Sequence, residues 1–325
     1  MASKTNRPRR ARRKGWTGYV LSFLLGALLA VLGYTYFSHL TVEKAHRPEI
    51  PSRKGPPADK TAQGPHPESG IARKDIPPSL PPLKTEEGEP PALKAGSRPK
   101  IAIVIDDLGG ENHLSKELLF FDVPLTFSIL PFTAHSRSLA FEAPQRGKEV
   151  ILHLPMEPHG YPSVKPGKGA LLGKMNEETL LRQLAQDIES VPNVKGVSNH
   201  MGSRFMEDPE KVKIVLSDLK RRGLFFFDSR TTPQTVGLKM AKVIGLKAVE
   251  RTLFIDHSPE EGDIRKKLDR LIQVSLSTGM AIGIGHPHSL TLQSIREMIP
   301  KMKEKGIEIV LLSTLIDESP NSKHR

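Results

Sequence analysis

From Lys100 onward, short apolar runs alternate with amphipathic helical patterns over most of the rest of this 325-residue chain. Residues 101–105 are typical of the runs, because five apolar, mostly β-branched residues predict a strand buried on both faces. Leu180, Leu184 and Ile188 are typical of the helical patterns, since they recur on one helix face. Strands that alternate with helices form parallel sheets, so the sequence predicts an α/β fold, most simply a (β/α) barrel of seven or eight strands.

Eight segments are predicted to be strands: residues 101–105, 125–130, 150–154, 194–197, 224–227, 248–255, 281–284 and 307–312. The sixth is interrupted at Glu250 and Arg251. Two helix starts are predicted where an N-cap residue precedes proline, at Asp208-Pro209 and at Thr232-Pro233. These elements predict one folded domain at residues 99–317 and a disordered tail at residues 318–325.

The residues before this domain have a different composition. Residues 1–15 carry seven basic and no acidic side chains and are predicted to be a disordered arm in the cytoplasm. Residues 16–37 contain no charged side chain, and a helix of this length spans about 33 Å, enough to cross a membrane. We therefore predict an uncleaved transmembrane signal anchor at residues 16–38, with a cleaved signal peptide as the alternative.

The segment between the anchor and the domain is rich in proline. Residues 41–99 hold 13 of the 28 prolines and few large apolar side chains, so they cannot bury enough surface to fold alone. Residues 39–98 are predicted to be a disordered linker that holds the domain outside the inner membrane, in the periplasm. A proline-rich segment that binds a partner is the alternative, and the sequence leaves it open.

Composition excludes several classes of function. The net charge is +12, but residues 100–325 hold 31 basic and 28 acidic side chains. A domain this close to neutral is not predicted to bind nucleic acid. The chain has no cysteine, so thiol catalysis, zinc–thiolate sites and disulfides are excluded.

Acidic and histidine side chains follow the predicted strands at the points where the strands end. Because the carboxyl ends of parallel strands meet at one edge of a sheet, we expect these side chains to lie close together. A barrel that served only as a scaffold would not need them, so they predict a functional site. The acidic and histidine side chains are Asp106, Asp107, His153, Glu157, His200, Asp228, Asp256, His257, His286 and His288, and two arginines, Arg204 and Arg230, follow the same strands.

One carboxylate and two imidazoles from separate strands suit zinc or another divalent metal with open coordination positions. Such an ion lowers the pKa of a bound water and polarises a carbonyl group. A further aspartate and a further histidine in the same crevice then suit a general base and a general acid.

Each of these residues also has a purely structural explanation. The acidic pair after the first strand could cap the next helix. His153 could be a buried histidine with satisfied hydrogen bonds, and Glu157 could lie at a helix start. His200 is in a turn setting, and Arg204 and Arg230 could simply pair with buried carboxylates.

In this order and at these strand ends, the motifs IDDLGG, HLPMEP, NHMGSRF, FFFDSRTT and GIGHPH resemble the divergent polysaccharide deacetylases. These are relatives of the carbohydrate esterases with the chitooligosaccharide-deacetylase fold. The resemblance covers about residues 99–317. It implies a distorted (β/α) barrel and metal-dependent removal of N-acetyl or O-acetyl groups from sugars.

The resemblance also implies roles for residues of the first two motifs. The first aspartate of the superfamily's Asp-Asp motif is the catalytic base and matches Asp106, and the second is a metal ligand and matches Asp107. The second motif supplies two histidine ligands four residues apart. His153 matches the first of them, but Glu157 stands at the second position, which leaves open whether it is a ligand.

The remaining motifs complete the predicted site. The superfamily's Arg-Pro-Pro-Tyr-Gly motif is absent, and NHMGSRF occupies its place, so His200 is predicted to supply the missing imidazole. Asp228 resembles the aspartate of the fourth motif, and with Arg230 it is predicted to position the reacting groups. His286 resembles the histidine that acts as the acid, and His288 is left open as a ligand.

The sequence thus predicts a membrane-anchored hydrolase, dependent on a divalent metal, most simply zinc, that acts on an acetylated envelope or exported polysaccharide. The alternative is a glycan-binding or envelope-assembly module that keeps the barrel without turnover. A third possibility is a different metal-dependent barrel hydrolase whose substrate is an amide other than a sugar acetamide. No protein partner is identified.

Overall fold

The computed structural model describes residues 98–111 and 113–319. Within these ranges no helix is both long enough and apolar enough to cross a membrane. Four predicted segments lie wholly or mostly outside them: the arm (1–15), the anchor (16–38), the linker (39–98) and the tail (318–325).

Nine strands of the described chain form one sheet, in which every pairing is parallel. In chain order they are β1 (Lys100–Leu108), β2 (Thr126–Ile129), β3 (Glu149–Met156), β4 (Gly196–Met201), β5 (Phe225–Asp228), β6 (Ala248–Glu250), β7 (Leu253–Phe254), β8 (Met280–Gly285) and β9 (Glu308–Val310). Their order across the sheet is β6-β5-β4-β3-β2-β1-β8-β7, and β9 pairs with the first residues of β1. Each predicted strand overlaps one or two of them.

Helices connect most of these strands. In chain order the α-helices of the described ranges are α1 (Leu114–Leu118), α2 (Ser136–Gln145), α3 (Glu177–Ser190), α4 (Pro209–Arg221), α5 (Gly237–Ile244), α6 (Glu261–Thr278), α7 (Ser289–Glu304) and α8 (Leu312–Glu318). Asp208 caps α4 as predicted, because its carboxylate accepts from the N–H groups of Glu210 and Lys211. The helix start predicted at Thr232 is wrong: its hydroxyl accepts from Gln234 N in a turn, and α5 begins later.

The sheet is curled, because one short segment of chain supplies both of its edges. β6 pairs with β5, β7 pairs with β8, and only Arg251 and Thr252 separate β6 from β7. The N–H of Arg251 donates to Asp228 O (3.1 Å), whereas that of Thr252 donates to Ile282 O (2.9 Å). The fold is therefore a curled parallel half-barrel. It has nine strands rather than seven or eight, because the sixth predicted strand divides where the chain changes neighbours.

Alternate residues along the strands face the interior of the curl. They form a buried apolar cluster with α8, which closes the end where the strands begin. Because side chains alternate along a strand, the next inward position lies two residues further on. The inward rows of β1, β3 and β8 therefore run from Val104, Ile151 and Ile284 to polar residues at the carboxyl end of the sheet, namely Asp106, His153 and His286.

The helices pack on the outer face of the sheet and form a second, larger apolar cluster. A carboxylate of α3 is buried among them. Asp187 of α3 is fully buried, and its Oδ1 accepts from Gln183 Nε2 (2.9 Å). Its Oδ2 has no hydrogen-bond partner within the described ranges. A Cβ on Gly169 would lie 2.3 Å from Oδ1, so the neighbouring loop packs closely on this carboxylate. Burial raises the pKa of Asp187 to about 7, although the bond from Gln183 opposes the shift.

Asp187 should make the fold less stable as the pH rises. The unfolded chain releases this proton near the ordinary value of 3.8 and the folded chain near 7, so stability present in acid is lost between these values. We expect Asp187→Asn to raise the free energy of unfolding above pH 7, by at most about 4 kcal/mol. The gain should disappear below about pH 4. Urea unfolding at several pH values measures this effect.

Asp218→Asn is the matched control for this experiment. Asp218 is also buried, but Arg221 and Arg222 each bind its carboxylate at 2.7 Å. Removal of this carboxylate in Asp218→Asn should lower the free energy of unfolding at pH 8. The raised pKa assigned to Asp187 would be contradicted if the free energy of unfolding of Asp187→Asn varied with pH in the same way as that of the wild-type protein.

Candidate functional site

Two adjacent carboxylates reach the same crevice at the end of β1. The register between β1 and β2 shifts between Ile105 and Leu108, and Asp107 has a left-handed backbone conformation with φ 58°. This irregularity interrupts the strict alternation of side chains. As a result, His153 Nε2 lies 3.7 Å from Asp106 Oδ2 and 3.2 Å from Asp107 Oδ1.

The ring of His153 is held from behind by two buried serines. Its Nδ1 lies 2.9 Å from the Ser198 hydroxyl, which lies 2.8 Å from the Ser128 hydroxyl. Ser128 and Ser198 belong to β2 and β4, the strands on either side of β3. These contacts fix the ring so that Nε2 points at the carboxylates of β1.

His200 approaches from the end of β4. The next residues, Met201 and Gly202, both have positive φ, of 52° and 85°, so the chain turns sharply immediately after the histidine. His200 Nδ1 lies 2.9 Å from Asp107 Oδ1 and 3.1 Å from His153 Nε2. We call Asp107, His153 and His200 the triad.

The triad has the dimensions of a metal site. Its three facing atoms are separated by 2.9, 3.1 and 3.2 Å. Zinc binds nitrogen and oxygen at about 2.0–2.2 Å, so two of its ligand atoms lie roughly 3–3.5 Å apart. Of the described residues, these three form the group of acidic and histidine side chains whose ligand atoms all lie within 4.8 Å of one another. The residues therefore fit a divalent ion.

The electrostatics of the triad favour an ionised carboxylate. Burial would raise the pKa of Asp107, but the hydrogen bonds and charges of His153 and His200 hold it well below its usual range. Asp106 is almost fully buried beside it, and its Oδ1 has no hydrogen-bond partner in the described structure. A buried carboxylate oxygen without a protein donor is available to a water molecule or a substrate proton.

His286 and Asp256 form a hydrogen-bonded pair at the same end of the sheet as the triad. His286 Nδ1 lies 2.9 Å from Asp256 Oδ1, and the backbone N–H of His286 donates to Oδ2 of the same carboxylate (2.7 Å). Burial opposes the charged ring. The hydrogen bond and charge of Asp256, with the charges of Asp106 and Asp107, nevertheless raise the pKa of His286 to about 9.

Asp228 and Arg230 are not brought to the triad. Asp228 follows Phe226 on the outward row of β5, and its carboxylate accepts from Thr235 Oγ1 (2.7 Å) and from the N–H of Arg230 (2.8 Å). The Arg230 side chain pairs with Glu250 at 3.1 Å. In the described residues neither side chain bonds to a triad member. Their contacts instead fasten the loop between β5 and α5.

The two ligands left open by the sequence also have other contacts. Glu157 is buried, and its carboxylate accepts from Gly173 N (2.7 Å) and from the guanidinium of Arg204 (3.0 Å). His288 is exposed, with its ring centre 6.2 Å from that of His286. Glu157 therefore fastens the loop after β3, and His288 stands beside the site without joining the triad.

Sequence reasoning did not assign a role to Asp256 or Ser198. Asp256 was identifiable only as an acidic residue after a strand, because its partner His286 lies 30 residues further on. Ser198 had a weaker signal, a small hydroxyl side chain within a predicted strand.

Asp256→Asn should lower the pKa of His286 from its value of about 9, although the charges of Asp106 and Asp107 still favour the protonated ring. The substitution removes the charge and the strong acceptor that favour the protonated ring, whereas burial of the ring remains. The titration of the His286 ring protons by NMR measures this shift, with His286→Gln to assign the signal. Asp263→Asn, which alters an exposed carboxylate paired with Lys266, is the control. An unchanged midpoint in Asp256→Asn would contradict the assigned pair.

Comparison with known proteins places the chain in a family. The sequence profile of the divergent polysaccharide deacetylases matches residues 103–316. The chain is 33% identical over 231 residues to YibQ of Escherichia coli (strain K12), described as uncharacterized, with 70% of this chain and 72% of that protein covered. It is 32% identical over 219 residues to an uncharacterized protein of Haemophilus influenzae, with 66% of this chain and 76% of that protein covered.

A solved structure is also similar. The crystal structure of an uncharacterized protein from Agrobacterium tumefaciens C58 matches with a TM-score of 0.65 and 27% sequence identity, covering 68% of this chain and 91% of that one. The chain belongs to the divergent polysaccharide deacetylase family, which confirms the resemblance of its motifs.

Proposed function

We propose that this protein is a metal-dependent hydrolase that removes acetyl groups from an envelope or exported polysaccharide. The observation that carries the proposal is the triad, whose three ligand atoms lie 2.9 to 3.2 Å apart beside the buried Asp106. Membership in the divergent polysaccharide deacetylase family supports a polysaccharide as the substrate.

Asp107, His153 and His200 would hold the ion. Two imidazoles and one carboxylate are the ligand set of known catalytic zinc sites, so zinc is the metal we propose. When bound, a divalent ion of this kind lowers the pKa of a water molecule and polarises a carbonyl group. Ser198 supports the site, since its hydroxyl orients the ring of His153.

The other residues of the site would handle protons. Asp106 is the proposed general base, because its unpaired Oδ1 is available to accept a proton from the attacking water. His286 is the proposed general acid. The carboxylate of Asp256 favours the protonated form of this ring, which can donate a proton to the leaving amine or alkoxide. Asp256 holds this ring in place. Asp228 and Arg230 would act indirectly, through the loop that they fasten.

We also propose that residues 16–38 anchor the protein in the inner membrane, with the N-terminus in the cytoplasm and the domain in the periplasm. The uncharged segment and the basic arm before it support this orientation. Protease treatment of spheroplasts carrying the full chain should digest the domain but leave a fragment that contains residues 1–38. Protection of the domain in intact spheroplasts would contradict this orientation.

A glycan-binding or envelope-assembly module is the second candidate function. The observation that favours it is Glu157, which replaces an expected histidine ligand and is bound by Arg204 and by Gly173 N. Such a module would keep the crevice and lose turnover.

Asp106→Asn should separate the two candidates. With the full chain purified in detergent and supplied with zinc, we expect acetate release from acetylated glycans to fall by a factor of about 100 or more, because the general base is lost. Glycan binding should persist. The control is Asp208→Asn, at a helix cap outside the site, which should keep most of the turnover. If no acetylated glycan releases acetate with the wild-type protein, and Asp106→Asn binds glycan equally well, the binding module is supported.

Zinc should stabilise the protein through the triad. We expect zinc to raise the unfolding temperature of the full chain, because an ion that binds only the folded state shifts the equilibrium toward it. Asp107→Asn should lower zinc affinity by at least about tenfold, since it removes a charged ligand. Glu157→Gln, which alters a carboxylate bound by Arg204, should leave zinc affinity unchanged. Equal losses in the two variants would contradict the assigned ligands.

A further inference from the structure

A large groove lies at the end of the sheet where the strands begin, opposite the site. Its volume is about 910 Å³, and its walls come from α2, from the starts of β3 to β6 and from α8. Part of the lining is apolar, contributed by Phe141, Pro144, Leu224 and Leu246. We call this feature the basic groove, because lysines line it as well.

Four lysines line the basic groove: Lys148, Lys195, Lys220 and Lys247. Of these, Lys247 pairs with Asp317 at 2.7 Å. The ammonium groups of Lys148 and Lys220 donate to backbone carbonyl oxygens, and Lys195 has no ion pair among the described residues. The carboxylate of Glu149, the other acidic residue of the lining, already accepts from Thr126 and Ser313. Lys148 is buried, and burial lowers its pKa, so the positive charge that no described acidic side chain pairs with comes from Lys195 and Lys220. The groove therefore fits an acidic ligand with apolar parts.

The chain enters the domain beside this groove. Lys100, the first residue of β1, forms an ion pair with Glu318 of α8, and the preceding residue of α8, Asp317, lines the groove. On the other side, Lys148 donates to Val123 O (2.7 Å), and Val123 lines a neighbouring cavity together with Arg98. Arg98 therefore lines a cavity that adjoins the groove.

The linker contains a segment with complementary chemistry shortly before Arg98 in the sequence. Glu86, Glu87 and Glu89 are its densest group of acidic residues, and Pro90, Pro91, Ala92 and Leu93 follow directly. Only residues 94–97 separate this segment from Arg98. At roughly 3.3–3.6 Å per residue, this connection reaches up to about 17 Å.

We propose that residues 86–93 bind in the basic groove of the same chain. The three glutamates would face the lysines, and the Pro-Pro-Ala-Leu sequence would lie against the apolar lining. Single surface ion pairs are weak, but a short tether holds the segment at roughly millimolar effective concentration. Binding would fix the direction in which the linker leaves the domain. This inference does not depend on the catalytic activity of the site.

Disulfide trapping tests the proposal directly, because the chain has no cysteine of its own. In the full chain, Gly88→Cys combined with Lys195→Cys places one thiol in the segment and one in the groove. The matched control combines Gly88→Cys with Lys168→Cys, since Lys168 is equally exposed but lies on the loop after β3, toward the opposite end of the sheet. Under mild oxidation of dilute protein, we expect at least about tenfold more intramolecular disulfide in the first pair.

Reversing the charges of the segment provides an independent measurement in the Gly88→Cys, Lys195→Cys variant. Glu86→Lys, Glu87→Lys and Glu89→Lys together should reduce the disulfide yield toward that of the control pair. Adding Lys220→Glu and Lys247→Glu should restore it, which a general loss of folding would not do. Equal yields from the two thiol pairs would overturn the proposal. Loss of the disulfide in the presence of phosphatidylglycerol vesicles, but not phosphatidylcholine vesicles, would instead assign the groove to an anionic lipid surface and also overturn it.

Discussion

The left-handed backbone of Asp107 is the constraint on which the site depends. In a regular strand, Asp106 and Asp107 would point to opposite faces of the sheet. The bulge against β2 and the positive φ of Asp107 bring both carboxylates beside His153. Aspartate tolerates this conformation better than most residues other than glycine. The contacts of Asp107 with two imidazoles offset the remaining conformational free energy of its left-handed backbone. The backbone conformation places the carboxylate beside the imidazoles, and these contacts in turn stabilise that conformation.

The alternation of side chains along the strands explains why much of the site was predictable. Val104, Ile151 and Ile284 occupy inward-facing positions of β1, β3 and β8. The next inward-facing positions along these strands, at the carboxyl end of the sheet, are Asp106, His153 and His286. The pattern that specifies the core therefore also specifies part of the site. The same rule explains the placement of Asp228. Phe225 and Phe227 face the interior, so the residue after Phe227 faces the helices and loops outside.

Other parts of the site depend on contacts that no local pattern contains. The choice of His200 over Glu157 as the third member of the triad follows from the loops after β3 and β4, which supply Gly173 N and Arg204 to bind the glutamate. The pairing of Asp256 with His286 joins the ends of two neighbouring strands, and the chain between them forms the whole of α6. The sequence predicted that all of these residues lie at strand ends. Periodicity alone does not predict their contacts there. Which side chains meet there depends on how the loops pack.

The polarity of the parallel sheet separates the start of β1 from the candidate site. β1 begins at Lys100, near the first described residue of the domain, and its last residues include Asp106 and Asp107. Because every other strand runs in the same direction, the triad and the His286–Asp256 pair lie at the end of the sheet opposite Lys100. The basic groove lies at the end where the strands begin. Binding of residues 86–93 in the basic groove, as proposed, would therefore leave the candidate site at the opposite end of the sheet uncovered.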